Sequence, residues 1–168
     1  LPCVEERCPA VHYITARATS LAGRTRIVLI GRVERITGTP RFQYQTEVTN
    51  TPAYGCSAPA AVRLFIQRRG DNLTGQGSYE FYRWWSNPLS APLVVGPVRL
   101  IVPLSPANWS SVFGKFGNAS PGALAGFQGA LINVDNIGMT FGGGCSFGHG
   151  VNVSAGTARF VVTNYVVQ

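Results

Sequence analysis

Acid, lysine and methionine are all scarce in this chain: seven acidic residues, one lysine and one methionine in 168. Helix-favouring composition is correspondingly poor, which argues against a helical bundle. No apolar run approaches ~20 residues, so no segment reads as a membrane span. The shortage of acid also bears on chemistry. Hydrolysis of sugars by acid and base needs two carboxylates facing one cleft. The candidates are Glu5, Glu6, Glu34, Glu47, Asp71, Glu80 and Asp135, and none sits in a catalytic signature. His12 and His149 lack a Gly-x-Ser-x-Gly elbow or any similar nucleophile setting. Cys145 and His149 are spaced Cys-x3-His, two ligands where a structural metal site wants four. These gaps predict a non-enzyme with no metal and no cofactor.

Glycine and proline are plentiful, 20 and 11 residues, which fits a many-stranded β protein with numerous turns. The length suits one domain with a full core, spanning 1–168 with no linker or repeat. The net charge of +7 comes from 14 basic residues, 13 of them arginine. They are scattered (Arg24, Arg26, Arg32, Arg35, Arg41, Arg63, Arg68, Arg69, Arg83, Arg99, Arg159), and many alternate along strands as a solvated outer face would. A nucleic-acid footprint would cluster them, so no nucleic-acid partner is predicted.

Period-two alternation predicts strands at 11–19, 24–36, 42–48, 62–67, 78–85, 94–102, 136–141 and 157–167. Thr37-Gly38-Thr39-Pro40 reads as a turn between the second and third of these. One helix is predicted at Ser120-Pro121, where a capping hydroxyl precedes a proline suited to the first turn. Leu124, Phe127 and Leu131 give it an apolar side, and Trp109 is placed to join Phe127 and Leu131 in one buried cluster. The sum is an all-β chain, a single β-sandwich of about eight to ten strands, near the usual jelly-roll count.

In the segment 78–85, Tyr79, Phe81, Arg83 and Trp85 would share one face and Glu80, Tyr82 and Trp84 the other. Flat rings beside a polar group can stack on sugars, so Glu80, Tyr82 and Trp84 are the predicted glycan platform if that face points outward. Four Asn-x-Ser/Thr sites also occur, at Asn72, Asn108, Asn118 and Asn152, more than nine Asn among 23 Ser and Thr would give by chance. Asn72, Asn118 and Asn152 are the candidate glycosylation sites, with Asn108 the poorest acceptor beside Trp109.

The chain begins at Leu1 without a basic-then-apolar leader, an expectation of a processed, exported protein. Four cysteines in that setting suggest disulfides, for which three pairings exist. Cys3 and Cys8, restrained by Pro2 and Pro9, form a natural local loop within an N-terminal segment, 1–10. That leaves Cys56 with Cys145.

From Val98 onward the chain resembles laminin-IV-type and carbohydrate-binding-module-like jelly rolls of bacterial secreted proteins. The resemblance rests on Pro103-Leu104-Ser105-Pro106-x-x-Trp109, the short helix, and Val134-x-x-Ile137-x-Met139-x-Phe141. It implies a galactose-binding-like sandwich, extracellular, at the cell surface or in the periplasm, and usually non-catalytic. The 142–149 glycine stretch departs from that pattern, standing where those modules carry an acidic and Asn ending, so the resemblance does not carry over a calcium site or the usual ligand loop. The predicted partner is a polysaccharide or cell-surface glycan. The competing reading is a structural subunit of an extracellular assembly, held by self-association of long β-branched strands; a polysaccharide-active enzyme comes third. Peptide mapping without reduction should recover Cys56 joined to Cys145; four free thiols in natively purified protein would contradict the exported, disulfide-stapled reading.

Overall fold

The computed structural model describes residues 13–44, 60–143 and 147–168. All four cysteines, His12 and residues 45–48 of the expected third strand lie outside the described residues. The fold is an all-β sandwich of two antiparallel sheets with one α-helix. The larger sheet runs β1 (Tyr13–Arg17), β8 (Val134–Gly142), β3 (Ala61–Arg68), β4 (Arg83–Ser86) and β7 (Trp109–Ser110), with β5 (Ala91–Pro92) also on β3. The smaller sheet is β6 (Gly96–Pro103), β2 (Arg26–Tyr44) and β9 (Val151–Val167).

Alternation sets which side chains meet. Ile27, Leu29 and Val33 of β2 face Val62, Leu64 and Ile66 of β3, with Val98, Leu100 and Val102 of β6 and Ile137 and Met139 of β8 completing the core. Helix α1 (Pro121–Ile132) closes the end where β3 finishes and β8 starts. Its Ser120 cap accepts from the Ala123 amide at 3.1 Å, as the sequence predicted. The helix buries Ala123, Phe127 and Ala130, whereas Leu124 is exposed. Phe127 meets the edge of Trp84 (centroids 5.2 Å apart) and lies 6.3 Å from Trp109. Leu131 packs against this cluster while half-buried. Glycine at 126 lets Phe81 lie against the helix, because a Cβ there would collide with the Phe81 side chain.

Two expected elements differ. The Thr37–Pro40 turn does not reverse the chain; β2 runs unbroken through it for 19 residues. Its partner carries matching irregularities: Gly38 (φ +60°) lies opposite Gly156 (φ +156°), next to Ala155 (φ +57°). Thr37 and Thr157 share a 2.8 Å hydroxyl hydrogen bond across the ladder. Glycine and proline here shape a bulged ribbon rather than a hairpin. The second difference is the expected strand at 78–85. Residues Gly77–Phe81 form a 3-10 turn and the strand begins at Arg83. The Tyr82 amide donates to the Tyr79 carbonyl, and Trp84 Nε1 donates to the Phe81 carbonyl at 2.9 Å. Those bonds turn Gly77–Phe81 on itself, and pairing with β3 begins only at Tyr82, whose carbonyl accepts from the Arg68 amide at 2.7 Å.

Replacing Phe127 with alanine should cost about 3–5 kcal/mol, since the ring is 1% exposed and its removal loses apolar burial and leaves a cavity beside Trp84 and Trp109. Denaturant unfolding measures it, and a loss below about 1 kcal/mol would make the helix peripheral to stability.

Candidate functional site

The three residues expected to form a sugar platform do not share an outward face. Trp84 is fully buried in the core beside Phe127. Glu80 is 8% exposed, accepting from Lys115 Nζ at 3.1 Å and from the Ser111 hydroxyl at 3.2 Å. Tyr82 is half-buried, with the Arg68 guanidinium 4.7 Å from its ring centre and Tyr79 beside it. The expected acceptors Asn72, Asn118 and Asn152 are all exposed, and Asn108 is half-buried. Asn72 Oδ1 accepts from both the amide and the hydroxyl of Thr74, folding that Asn-x-Thr into a local turn.

The back of the larger sheet is the second departure. The arginines read as solvated include two that are buried, Arg63 (7% exposed) and Arg83 (6%). Strand register places Tyr13, Thr140 and Arg63 in one row across β1, β8 and β3, then Gly138, Phe65 and Trp85 in the next. Tyr13 stacks on Phe65 (4.3 Å), which packs on Trp85 (5.4 Å). Arg63 donates to the Ser86 carbonyl at 2.7 Å, and its guanidinium lies 3.9 Å from the centre of the Phe147 ring. Burial lowers its pKa to about 10, so it stays charged at neutral pH. Among the described residues, Arg63 Nε, Trp85 Nε1 and Thr140 Oγ1 are buried without a hydrogen-bond partner. Asn136, Gln67, Asp71 and Arg83 form a polar chain: Asn136 donates to Gln67 (2.8 Å), Gln67 to Asp71 (2.9 Å), and Arg83 pairs with Asp71 at 3.0 Å.

An open site lies at the end of the sandwich away from the helix. Here β2 and β9 run on beyond β6 as a two-stranded ribbon. A cleft of about 800 Å³ lies between the ribbon and the segment before β6, lined by Arg35, Thr39, Pro40, Arg41, Phe42 and Leu93–Val95. It shares Phe42 and Leu93 with a deeper apolar pocket of about 170 Å³, whose walls include Val33, Phe141, Val151 and Phe160. Arg35 and Arg41 are exposed at the rim, and Val94 and Val95 are 56% and 48% exposed. The cleft's lining holds no carboxylate, histidine or thiol among the described residues. Elsewhere each described carboxylate has its own cation: Glu34 with Arg32 and Arg159, Asp71 with Arg83, Glu80 with Lys115, and Asp135 with Arg17. Hydrogen bonds from Arg159 and Arg32 hold the Glu34 carboxyl below its ordinary range. Sequence reading missed this cleft because its two halves are 50 residues apart. Its one local signal was Val94-Val95, two β-branched residues on which strand alternation breaks.

Burial pushes the Tyr13 phenol from 10.0 up to about 12, against the opposing pull of Arg83 beside it. The fold therefore favours the protonated ring. Its contribution is intact below pH 10 and is lost as pH rises through about 12. Unfolding free energy should fall across that window in the wild type, and fall less in Tyr13→Phe; equal slopes in the two proteins would contradict this.

No protein-family model, no curated protein and no solved structure matches the chain.

Proposed function

We propose that this chain is a non-catalytic, extracellular binding module whose ligand sits in the cleft under the β2–β9 ribbon. The observation that carries the reading is the cleft's division of labour: an apolar floor that deepens between the sheets, and two exposed arginines at its rim. A volume of about 800 Å³ falls within the range of about 300–1,000 Å³ usual for small-molecule sites. The lining suits a ligand with an apolar body and an acidic group. The body would enter between Phe42, Leu93 and Phe160, where apolar surface leaves water. The acid would meet the forked donors of Arg35 and Arg41. A neutral glycan fits less well, because its hydroxyls would find few partners beyond Thr39 on these walls. An acidic glycan is the second reading, favoured by Phe42 standing beside the two rim arginines.

Titration calorimetry with decanoate and with an oligogalacturonate separates these. Decanoate should bind, and Arg35→Ala with Arg41→Ala should weaken it at least tenfold while far-UV circular dichroism is unchanged. Binding of the oligogalacturonate alone would favour the glycan reading, and binding of neither would remove the cleft as the site.

A further inference from the structure

The two sheets are unequal in width, and the mismatch is concentrated on one side. β9 lies over β8: the Tyr165 hydroxyl donates to the Gly138 carbonyl at 3.0 Å, and Phe160 meets the edge of Phe141 at 5.3 Å. β1 lies one place further out on the larger sheet. Among the described residues no strand of the smaller sheet stands over β1. Ile14 shows the consequence. It is paired with Met139, a core residue, so it points inward, and yet it is 55% exposed. Ala16, opposite Ile137, shares that inward face and is also exposed. The position a fourth strand of the smaller sheet would fill is bounded by the outer edge of β9 on one side and by Ile14 and Ala16 below.

That edge carries little to keep a strand away. Proteins blunt exposed edges with proline, lysine or short strands. At the opposite side of the same sheet, β6 has Pro97 and Pro103. From Thr157 to Val167 the β9 edge has no proline and no lysine, and its one charge, Arg159, is held by Glu34 at 2.9 Å. The one bulge on the β9 side of this stretch, at Thr163 between the partners of Gly31 and Ile30, leaves Thr157–Val162 without an inserted residue.

We propose that this side of the sandwich accepts an extended peptide segment of a partner protein by strand addition to β9. A second copy of this sandwich does not fit. Pairing its β9 with this one would carry its own β8 onto the place β1 already occupies, whereas a lone strand has nothing behind it to clash. The segment's chemistry follows from the two faces it would join. Residues pointing inward would pack on Ile14 and Ala16, so every second residue is apolar. Residues pointing outward would continue a face on which one acid, Glu34, is shared by Arg32 and Arg159 while Arg99 stands on β6. Three cations against one carboxylate leave that face positive, so the alternate positions are acidic. The proposal is independent of the cleft at the end of the sandwich.

A fluorescein-labelled octapeptide, Glu-Val-Glu-Val-Glu-Ile-Glu-Val, tests it against two controls. One is an isomer with the apolar residues contiguous, and the other has proline at two alternate positions. The octapeptide should bind by anisotropy and slow hydrogen exchange at alternate amides within 157–167. Both controls should bind at least tenfold more weakly, as should the Ile14→Asp variant toward the octapeptide. Leu73→Asp, an exposed apolar residue away from the seam, should bind as wild type does. Absence of binding up to about 1 mM, equal binding of the proline control, an unaffected Ile14→Asp, or those amides already protected in the free protein would each overturn the proposal.

Discussion

The smaller sheet depends on the ladder between β2 and β9. Among the described residues β2 alone in that sheet is bonded on both sides, to β6 along Arg26–Val33 and to β9 along nearly its whole length. Where β6 stops, at Gly96 opposite Val33, the ribbon continues on one partner. The bulges at Gly38 and Gly156 bend that continuation, because glycine at positive φ tolerates geometry that a side chain resists. At Gly156 the space is also closed, since a Cβ would land on the Thr37 carbonyl. The ribbon's overhang and bend produce the cleft, so the site is a by-product of one strand outrunning its neighbour.

Charge is distributed by similar local rules. With acids scarce, the described carboxylates are each shared with a cation, and among the described residues Arg63 has no carboxylate partner. A buried guanidinium is costly unless its surroundings answer it. The Phe147 face and the Ser86 carbonyl do so in part, the first through the ring's negative face. Tyr13, Phe65 and Trp85 complete an apolar back to the larger sheet, which is why both faces of β3 are buried from Ala61 to Ile66.

Much of the sandwich was legible in the sequence. Alternation within 62–67 and 136–141 puts Val62, Leu64 and Ile66, and Ile137, Met139 and Phe141, each on one face of a strand, and those are the faces that meet the core, because period two follows directly from the pleat. Ser120-Pro121 marked the helix for an equally local reason. The failures arose where a distant partner decided the outcome. Gly38-Thr39-Pro40 has turn composition, yet β9 supplies bulges that let the strand pass straight through. The aromatic run at 78–85 alternates like a strand, yet its first half turns on itself beneath the helix. Arg63 and Arg83 alternate like solvated residues, and the back of the sheet encloses them. The platform of Glu80, Tyr82 and Trp84 failed with the strand it was drawn on, since Trp84 turned to the core and Glu80 to Lys115.

The β2–β9 ladder also dictates an order of events in folding. Ile27 pairs with Val167, so nearly the whole chain lies in the loop that this contact closes. The entropy of closing so long a loop must be met before the contact returns anything, and folds built on such pairings form slowly. β3 and β4, by contrast, meet across a short connection, with Phe65 opposite Trp85. During synthesis β2 therefore leaves the ribosome long before its main partner exists. It waits as a β-branched segment with one edge unsatisfied, the period in which this chain is most exposed to mispairing and to capture by chaperones.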